Sequence, residues 1–409
     1  MQRFGKASAV TLAAAGVIAL AACSSGGASS AGGGASASGS KDPYTIGYIN
    51  TLSGPISTYG QYTYSFLQAL VKSTNASGGI DGHPLNVVPV DSAAAGVTGV
   101  SAAKQLISQD HPIAIYGNNL SDDCGAEAAV VTAAQIPMIC ASTPEADLSP
   151  VQKYVFAGAV SEPTEAGAAL QLATGTLKVA KGGSFATFVA GSLGAEQYAS
   201  AVATAAGGAG LKKADSEVIP LTVVNAGAEI SKLVASKPSV VFGEPVGSQI
   251  QPLVQALRAA GNQAPVIIVD YSVTLPEFQT IKDTNLYGDS AANFITSVSD
   301  SQSGVAQVKS MLAAGGMTGL DAMNGAQGPS MALPVLGLLQ GLKLCGENCT
   351  GPKLADSLQK VTVNYPGFVS DYGWTASSHY PVHNISFYSY VPSANLPELK
   401  AGDLPVGKP

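Results

Sequence analysis

The stretch 44-YTIGYINTLSGPISTYGQYTYSFLQALVKSTNASGGIDGHPLNVVPVD-91 decides the fold. It opens on an apolar run at 44–49 with the length and composition of a buried strand. Within 61–77, Phe66, Leu67, Leu70 and Val71 recur at the three- and four-residue spacing of one helix face. Gly78, Gly79 and Gly82 follow, where a chain turning out of a helix needs positive φ. A second apolar run at 85–90 ends at Asp91. Strands that are apolar throughout, joined by an amphipathic helix, predict a parallel sheet with helices on both faces.

Outward from this unit the rhythm continues. Strands are expected at 113–116 and 137–140, and helices at 97–108 and about 125–135. It restarts after Phe156 with strands at 185–189, 218–221, 239–242 and 266–269, and helices at 195–206, 229–235 and 248–260. Strongly apolar 330–344 and shorter 352–361 read as helices, and alternating 384–391 as an edge strand or hairpin. The expected fold class is α/β: two Rossmann-like lobes with parallel central sheets and a ligand cleft between them. Ligands of open parallel sheets bind beyond the carboxyl ends of the strands. That rule directs attention to 53–60, 117–123, 141–147, 190–195, 243–247 and 270–274.

A chain of 409 residues suggests two domains or one large one. Charged residues make up only 11%, against about a quarter in ordinary proteins, and the 46% hydrophobic content indicates large packed cores. The net charge of -7 argues against a nucleic-acid partner, which needs a basic face.

The N-terminus has Arg3 and Lys6, an apolar stretch from about 9 to 20, and then Leu20-Ala21-Ala22-Cys23. This is the layout of a secretory signal, and the stretch is short for a membrane span. Small residues before a cysteine resemble a bacterial lipoprotein signal; the alternative is a plain secretion signal. The resemblance implies a signal peptide at 1–22, lipid on Cys23, and a chain anchored on the extracytoplasmic face of the cell membrane. A Gly/Ser tether fills the rest of 23–43. Gly34, Gly39 and Ser40-Lys41 have the wrong order for a phosphate loop. Besides Cys23 there are four cysteines. Closeness in sequence favours Cys124–Cys140 and Cys345–Cys349 among three disulfide connectivities; zinc is the alternative, without a Cys-x-x-Cys pair to support it.

Asn50-Thr51-Leu52-Ser53-Gly54-Pro55, Tyr59-Gly60, Asn75-Ala76-Ser77-Gly78-Gly79-Ile80-Asp81-Gly82 and Val90-Asp91 together resemble the opening of the branched-chain-amino-acid-type substrate-binding proteins of ABC transporters. The similarity extends through Ile136-Pro137, Ser142 to Glu145, and Val155-Phe156. It implies a monomeric binder without cofactor or catalysis, delivering a small molecule to ABC permease subunits; a sensor of the same fold is the alternative. It also implies three crossings, near 157–161, 291–295 and 367–373. The lobes become 44–158 plus 293–370, and 159–292 plus 371–409.

The family pattern places Ser121 on the ligand carboxylate, with Leu120 and Asp122 beside it. Ala141, Ser142 and Thr143 supply backbone groups and a hydroxyl, Tyr59 stands at the cleft mouth, and Ser53 leads to a helix N-terminus. In the second lobe, Leu193 lies where amino-acid binders carry a tyrosine. Glu244 or Asp270, with Tyr271 adjacent, would meet a ligand amine. The departures at 192–194 and 244–246 leave amides, carboxylates, aromatics and urea-like compounds open as ligands.

Other constellations fail. His379 and His383 have helical metal spacing, but Pro381 lies between them and no third ligand is evident, so both read as surface-loop histidines. No metal site is expected. Ser357-Leu358-Gln359-Lys360 has no companion motif. Asp122, Asp123, Glu145 and Asp147 could suggest paired acids, but read as helix-start charges.

Overall fold

The computed structural model describes residues 41–54, 57–141, 148–223, 225–270, 272–291, 303–318, 327–381 and 385–404. Cys23 and nearly all of the tether lie outside them. The first half of the chain runs β1 (Tyr44–Asn50), α1 (Ser57–Ala76), β2 (Leu85–Asp91), α2 (Gly96–Gln109), β3 (Ala114–Gly117), α3 (Ser121–Ala134), β4 (Met138–Cys140) and β5 (Val155–Ala157). These strands form a sheet in the order β2-β1-β3-β4-β5, all parallel.

The second unit begins with α4 (Glu162–Gln171) and β6 (Ser184–Ala190), then α5 (Leu193–Gly208), β7 (Lys212–Ile219) and α6 (Gly227–Ala235). It continues with β8 (Val240–Glu244), α7 (Ile250–Ala259), β9 (Val266–Ile268), α8 (Leu275–Ile281) and β10 (Leu286–Ser290). Beyond come α9 (Ser303–Ala314), α10 (Gln327–Cys345), α11 (Gly351–Leu358), the hairpin β11 (Val363–Tyr365) and β12 (Val369–Tyr372), and a last hairpin, β13 (Ile385–Val391) with β14 (Leu396–Leu404). The second sheet has the order β14-β13-β10-β9-β8-β6-β7. Its five strands from β7 to β10 are parallel and repeat the order of the first sheet.

The expected two α/β lobes are present. In this order the strand succession reverses between β1 and β3, and again between β6 and β8. Those switch points are where such sheets leave a crevice at their carboxyl ends.

Ile46, Tyr48 and Ile49 of β1 are fully buried, as are Phe66, Leu67 and Leu70 on the inner face of α1. Each large apolar side chain so buried contributes ~1.5–3 kcal/mol. At the first switch point Gly117 has φ 151°, and a Cβ there would come within 1.7 Å of the Ile49 carbonyl oxygen. Only glycine lets β3 approach β1 so closely.

The segment leaving the first sheet is gripped from far along the sequence. Trp374 Nε1 donates to the Ala157 carbonyl at 2.7 Å, and the Tyr372 hydroxyl donates to that of Gly158 at 2.9 Å. Phe156 packs edge-on to Trp374 and stacks on His379 with ring centroids 4.0 Å apart. His379 is therefore not the surface histidine expected. It is fully buried, its Nδ1 is 2.7 Å from the Val155 carbonyl oxygen, and burial lowers its pKa. His383 lies outside the described residues.

Two disulfides are present. Cys124–Cys140 ties the first turn of α3 to the end of β4, and Cys345–Cys349 closes the end of α10. No helix among the described residues is long and apolar enough to cross a membrane.

Candidate functional site

The carboxyl ends of both sheets meet at a cavity of about 100 Å3. One water needs ~10–15 Å3 on this measure, so the space suits a small molecule. The first lobe supplies Asn50 and Thr51 at the end of β1, Asn119 and Leu120 after β3, and Ser121 at the start of α3. Asn50 holds these together. Its Nδ2 donates to Asn119 Oδ1 at 2.6 Å and to the Tyr48 hydroxyl at 2.9 Å, while its Oδ1 accepts from the Thr51 N–H at 2.9 Å. α3 has no side-chain cap at Leu120, so its first-turn N–H groups and dipole favour negative charge on a ligand. Tyr116, fully buried on β3, also lines the cavity, and its hydroxyl has no hydrogen-bond partner among the described residues.

The second lobe supplies Ala190 at the end of β6, then Ser192 and Gly194 at the start of α5. Ser192 Oγ caps α5 by accepting from the Ala195 N–H. A Cβ on Gly194 would lie 2.8 Å from Ser121 Oγ and 3.1 Å from Glu162 Oε1. The small residue therefore lets the starts of α3 and α5 close on each other across the cavity. A cross-lobe hydrogen bond runs from the Gly247 N–H to the Tyr59 hydroxyl of α1, at 3.1 Å.

Glu244 ends β8 and Asp270 follows β9 at φ 56°; both line the cavity. Behind them stand Glu162 and Glu165 in the first turn of α4, and Asp289 on β10, all buried. Burial pushes the Glu244 carboxyl above its ordinary range, and Asp270, Glu162 and Asp289 push it further. Burial raises Asp270 to about 7. Glu165 is raised first by burial and then by the other four carboxylates.

Of the residues expected from sequence, Tyr59, Leu120, Ser121, Ala141, Glu244 and Asp270 line this cavity. Ser53, Asp122 and Leu193 do not: Ser53 is exposed and bonded to Asp91, Asp122 points to solvent from α3, and Leu193 is 42% exposed. Ser142, Thr143 and Tyr271 lie outside the described residues. The sequence reading passed over Asn50, Thr51 and Tyr116, the last residues of strands or their immediate neighbours, and Ser330, Met331 and Pro334 of α10. The rule of strand carboxyl ends could have found the first group. The second sits in a helix whose apolar run reads as core.

A family model described as periplasmic binding protein matches residues 43–395. Among solved structures, an ABC transporter substrate-binding protein of Aeropyrum pernix is 18% identical with a TM-score of 0.76, covering 90% of this chain and 97% of that one. A solute-binding protein of R. palustris in complex with 4-hydroxybenzoate is 17% identical with a TM-score of 0.75, covering 90% and 98%. The branched-chain amino acid transporter substrate-binding protein of Streptococcus pneumoniae, in complex with isoleucine, is 18% identical with a TM-score of 0.70, covering 88% and 99%. A search of curated proteins finds no match. At these identities the structures speak to the fold, and the family model speaks to descent. The resemblance read from 50–91 extends over most of the chain, which belongs to the periplasmic binding protein family.

Proposed function

We propose that this chain is an extracytoplasmic solute-binding lipoprotein. It captures a small polar ligand, an amino acid or a related amide or carboxylate, and delivers it to an ABC permease. The observation that carries this reading is the cavity between two switch points, walled by both lobes and bridged by the Tyr59–Gly247 bond. A ligand touching both walls favours the arrangement in which they meet. A micromolar ligand supplies about 8 kcal/mol toward that closure.

In this reading the lobes are 44–158 plus 293–370 and 159–292 plus 371–409, joined by three crossings. Ser121 with the start of α3 holds a carboxylate or carbonyl, and Glu244 and Asp270 hold a cationic group. Lipid on Cys23 keeps a monomeric protein at the cell membrane, on the tether that follows. Structures of relatives bound to isoleucine and to 4-hydroxybenzoate support a small organic ligand without settling its class.

The test is native mass spectrometry of the purified protein, followed by small-angle scattering of loaded and stripped samples. The expected result is one small molecule per chain and a smaller radius of gyration when loaded. Equal scattering in the two states would refute closure. Absence of any bound molecule, with no melting shift across a metabolite panel, would refute the binding role.

A further inference from the structure

Five carboxyl groups converge on the second lobe's side of the cavity from four directions. Glu162 and Glu165 come from the first turn of α4, Glu244 from the end of β8, Asp270 from the turn after β9, and Asp289 from β10. Every charge acting on Glu165 or Glu244 from a neighbour is another carboxylate. No lysine or arginine lines the cavity among the described residues.

Two buried hydroxyls stand apart from that cluster in kind. Tyr198 of α5 is fully buried beside Glu165, Glu244 and Asp289, yet its hydroxyl has no hydrogen-bond partner among the described residues. Tyr116 of β3, in the first lobe, is likewise buried with an unpartnered hydroxyl, and this residue lines the cavity itself. A polar group kept dry without a partner is costly. A fold that keeps such a group at a cavity wall holds it ready for a ligand.

From this placement we infer that the ligand bears net positive charge: an ammonium or guanidinium group seated at Glu244 and Asp270, in a molecule with no more than one carboxylate. The inference rests on the solute-binding reading and narrows its ligand class. A neutral amino acid brings one charge of each sign, so its net charge leaves the clustered acids uncompensated once water is excluded. A second cationic centre, or the absence of a carboxylate, removes that imbalance. The start of α3 still accommodates one carboxylate or carbonyl. No group of three or more acids, histidines or cysteines among the described residues has the geometry to hold a metal ion. The cation is therefore organic, with its donors spread over several oxygens.

Capture of the cation favours the ionised form of Asp270, so a proton leaves to solvent where that group is protonated beforehand. Burial is what opposes its ionisation, and the carboxyl groups that Asp270 acts on are Glu165 and Glu244, themselves flanked by Glu162 and Asp289. With Asp270 titrating at about 7, raising the pH from about one unit below that value to one above it should tighten binding about tenfold.

The experiment is thermal shift and calorimetry on the purified, stripped protein at those two pH values. The probes are 1,4-diaminobutane, arginine, leucine, 4-hydroxybenzoate and magnesium chloride. The expected result is binding of at least one of the two organic cations, tighter at the higher pH. Leucine and 4-hydroxybenzoate should be without effect. Asp270→Asn should flatten the pH dependence, and Asp270→Asn with Glu244→Gln should abolish binding. The wild-type pH dependence keeps the test independent of how the variants fold. A response to leucine or 4-hydroxybenzoate and to neither organic cation overturns the inference and leaves the binding role standing. An equal response to magnesium also overturns it, as simple charge screening. No response to any probe overturns it too, and bears on the binding role only if mass spectrometry also finds no bound molecule.

Discussion

Glu127 offers a sharp test of the electrostatics, independent of any ligand. It lies on α3 one turn beyond Asp123, is 1% exposed, and its Oε1 accepts from Asn118 Nδ2 at 2.6 Å. α2 packs so closely that a Cβ on Gly99 would come within 2.2 Å of that oxygen. Burial is the chief cause raising its pKa from 4.5 to about 8; Asp123 adds to the rise and the Asn118 bond opposes it. Between those two values the folded chain binds a proton that the unfolded chain has released. Stability therefore falls as pH rises through this window, and levels off above about 8. At about 1.4 kcal/mol per pH unit, the interval from 4.5 to about 8 amounts to ~5 kcal/mol. Glu127→Gln keeps the shape and the acceptor oxygen but does not titrate. The second-lobe acids are common to both proteins and distant, so they cancel in the difference. Urea unfolding followed by circular dichroism, at about pH 5 and about pH 9, should show the variant gaining several kcal/mol on wild type over that span. Parallel pH profiles for the two proteins would refute the assignment of a buried, protonated Glu127.

Two further outcomes follow from the bonds described. Tyr59→Phe removes the acceptor of the Gly247 N–H, which costs ~1–3 kcal/mol where the lobes meet and nothing where that amide faces water; scattering of the ligand-free protein should show a larger radius of gyration, and an unchanged profile would count against a latch. Replacing Cys124 and Cys140 by serine opens a loop of 16 residues and should cost ~3 kcal/mol, against ~2 kcal/mol for the Cys345–Cys349 loop of 4; equal urea midpoints for the two double variants would contradict that ranking.

The parallel cores were legible because their strands are apolar on both faces. β1, β3, β4, β8 and β9 fall within a few residues of the expected spans. β7 was expected at 218–221 but begins at Lys212, because as an edge strand it exposes Lys212, Lys213 and Ala214 and carries no apolar run there. β10 went unread since Asp289 and Ser290 are polar yet buried, and no single-sequence pattern marks a polar residue whose burial comes from its neighbours. Terminal 384–391 read as an edge strand or hairpin; β13 does form a hairpin, but β14 covers it and it is not an edge. The cavity wall was legible where it follows strand ends, at Leu120, Ser121, Glu244 and Asp270. It was opaque where distant segments meet: no sequence pattern singled out Glu162 and Glu165 at the start of α4, and only the fold brings Asp289 to them.

Trp374 is the sole tryptophan among 409 residues. Its indole is clamped to the Ala157 carbonyl at the point where the chain leaves the first sheet, with Phe156 and Tyr372 against its ring. A Cβ on Gly337 would reach within 2.7 Å of it. Any rearrangement of that segment changes the polarity and quenching around a single emitter, undiluted by others. Intrinsic fluorescence at the red edge of excitation, where the 15 tyrosines stay dark, thus reports on one known position of the unlabelled chain. A stopped-flow trace would time its movement directly.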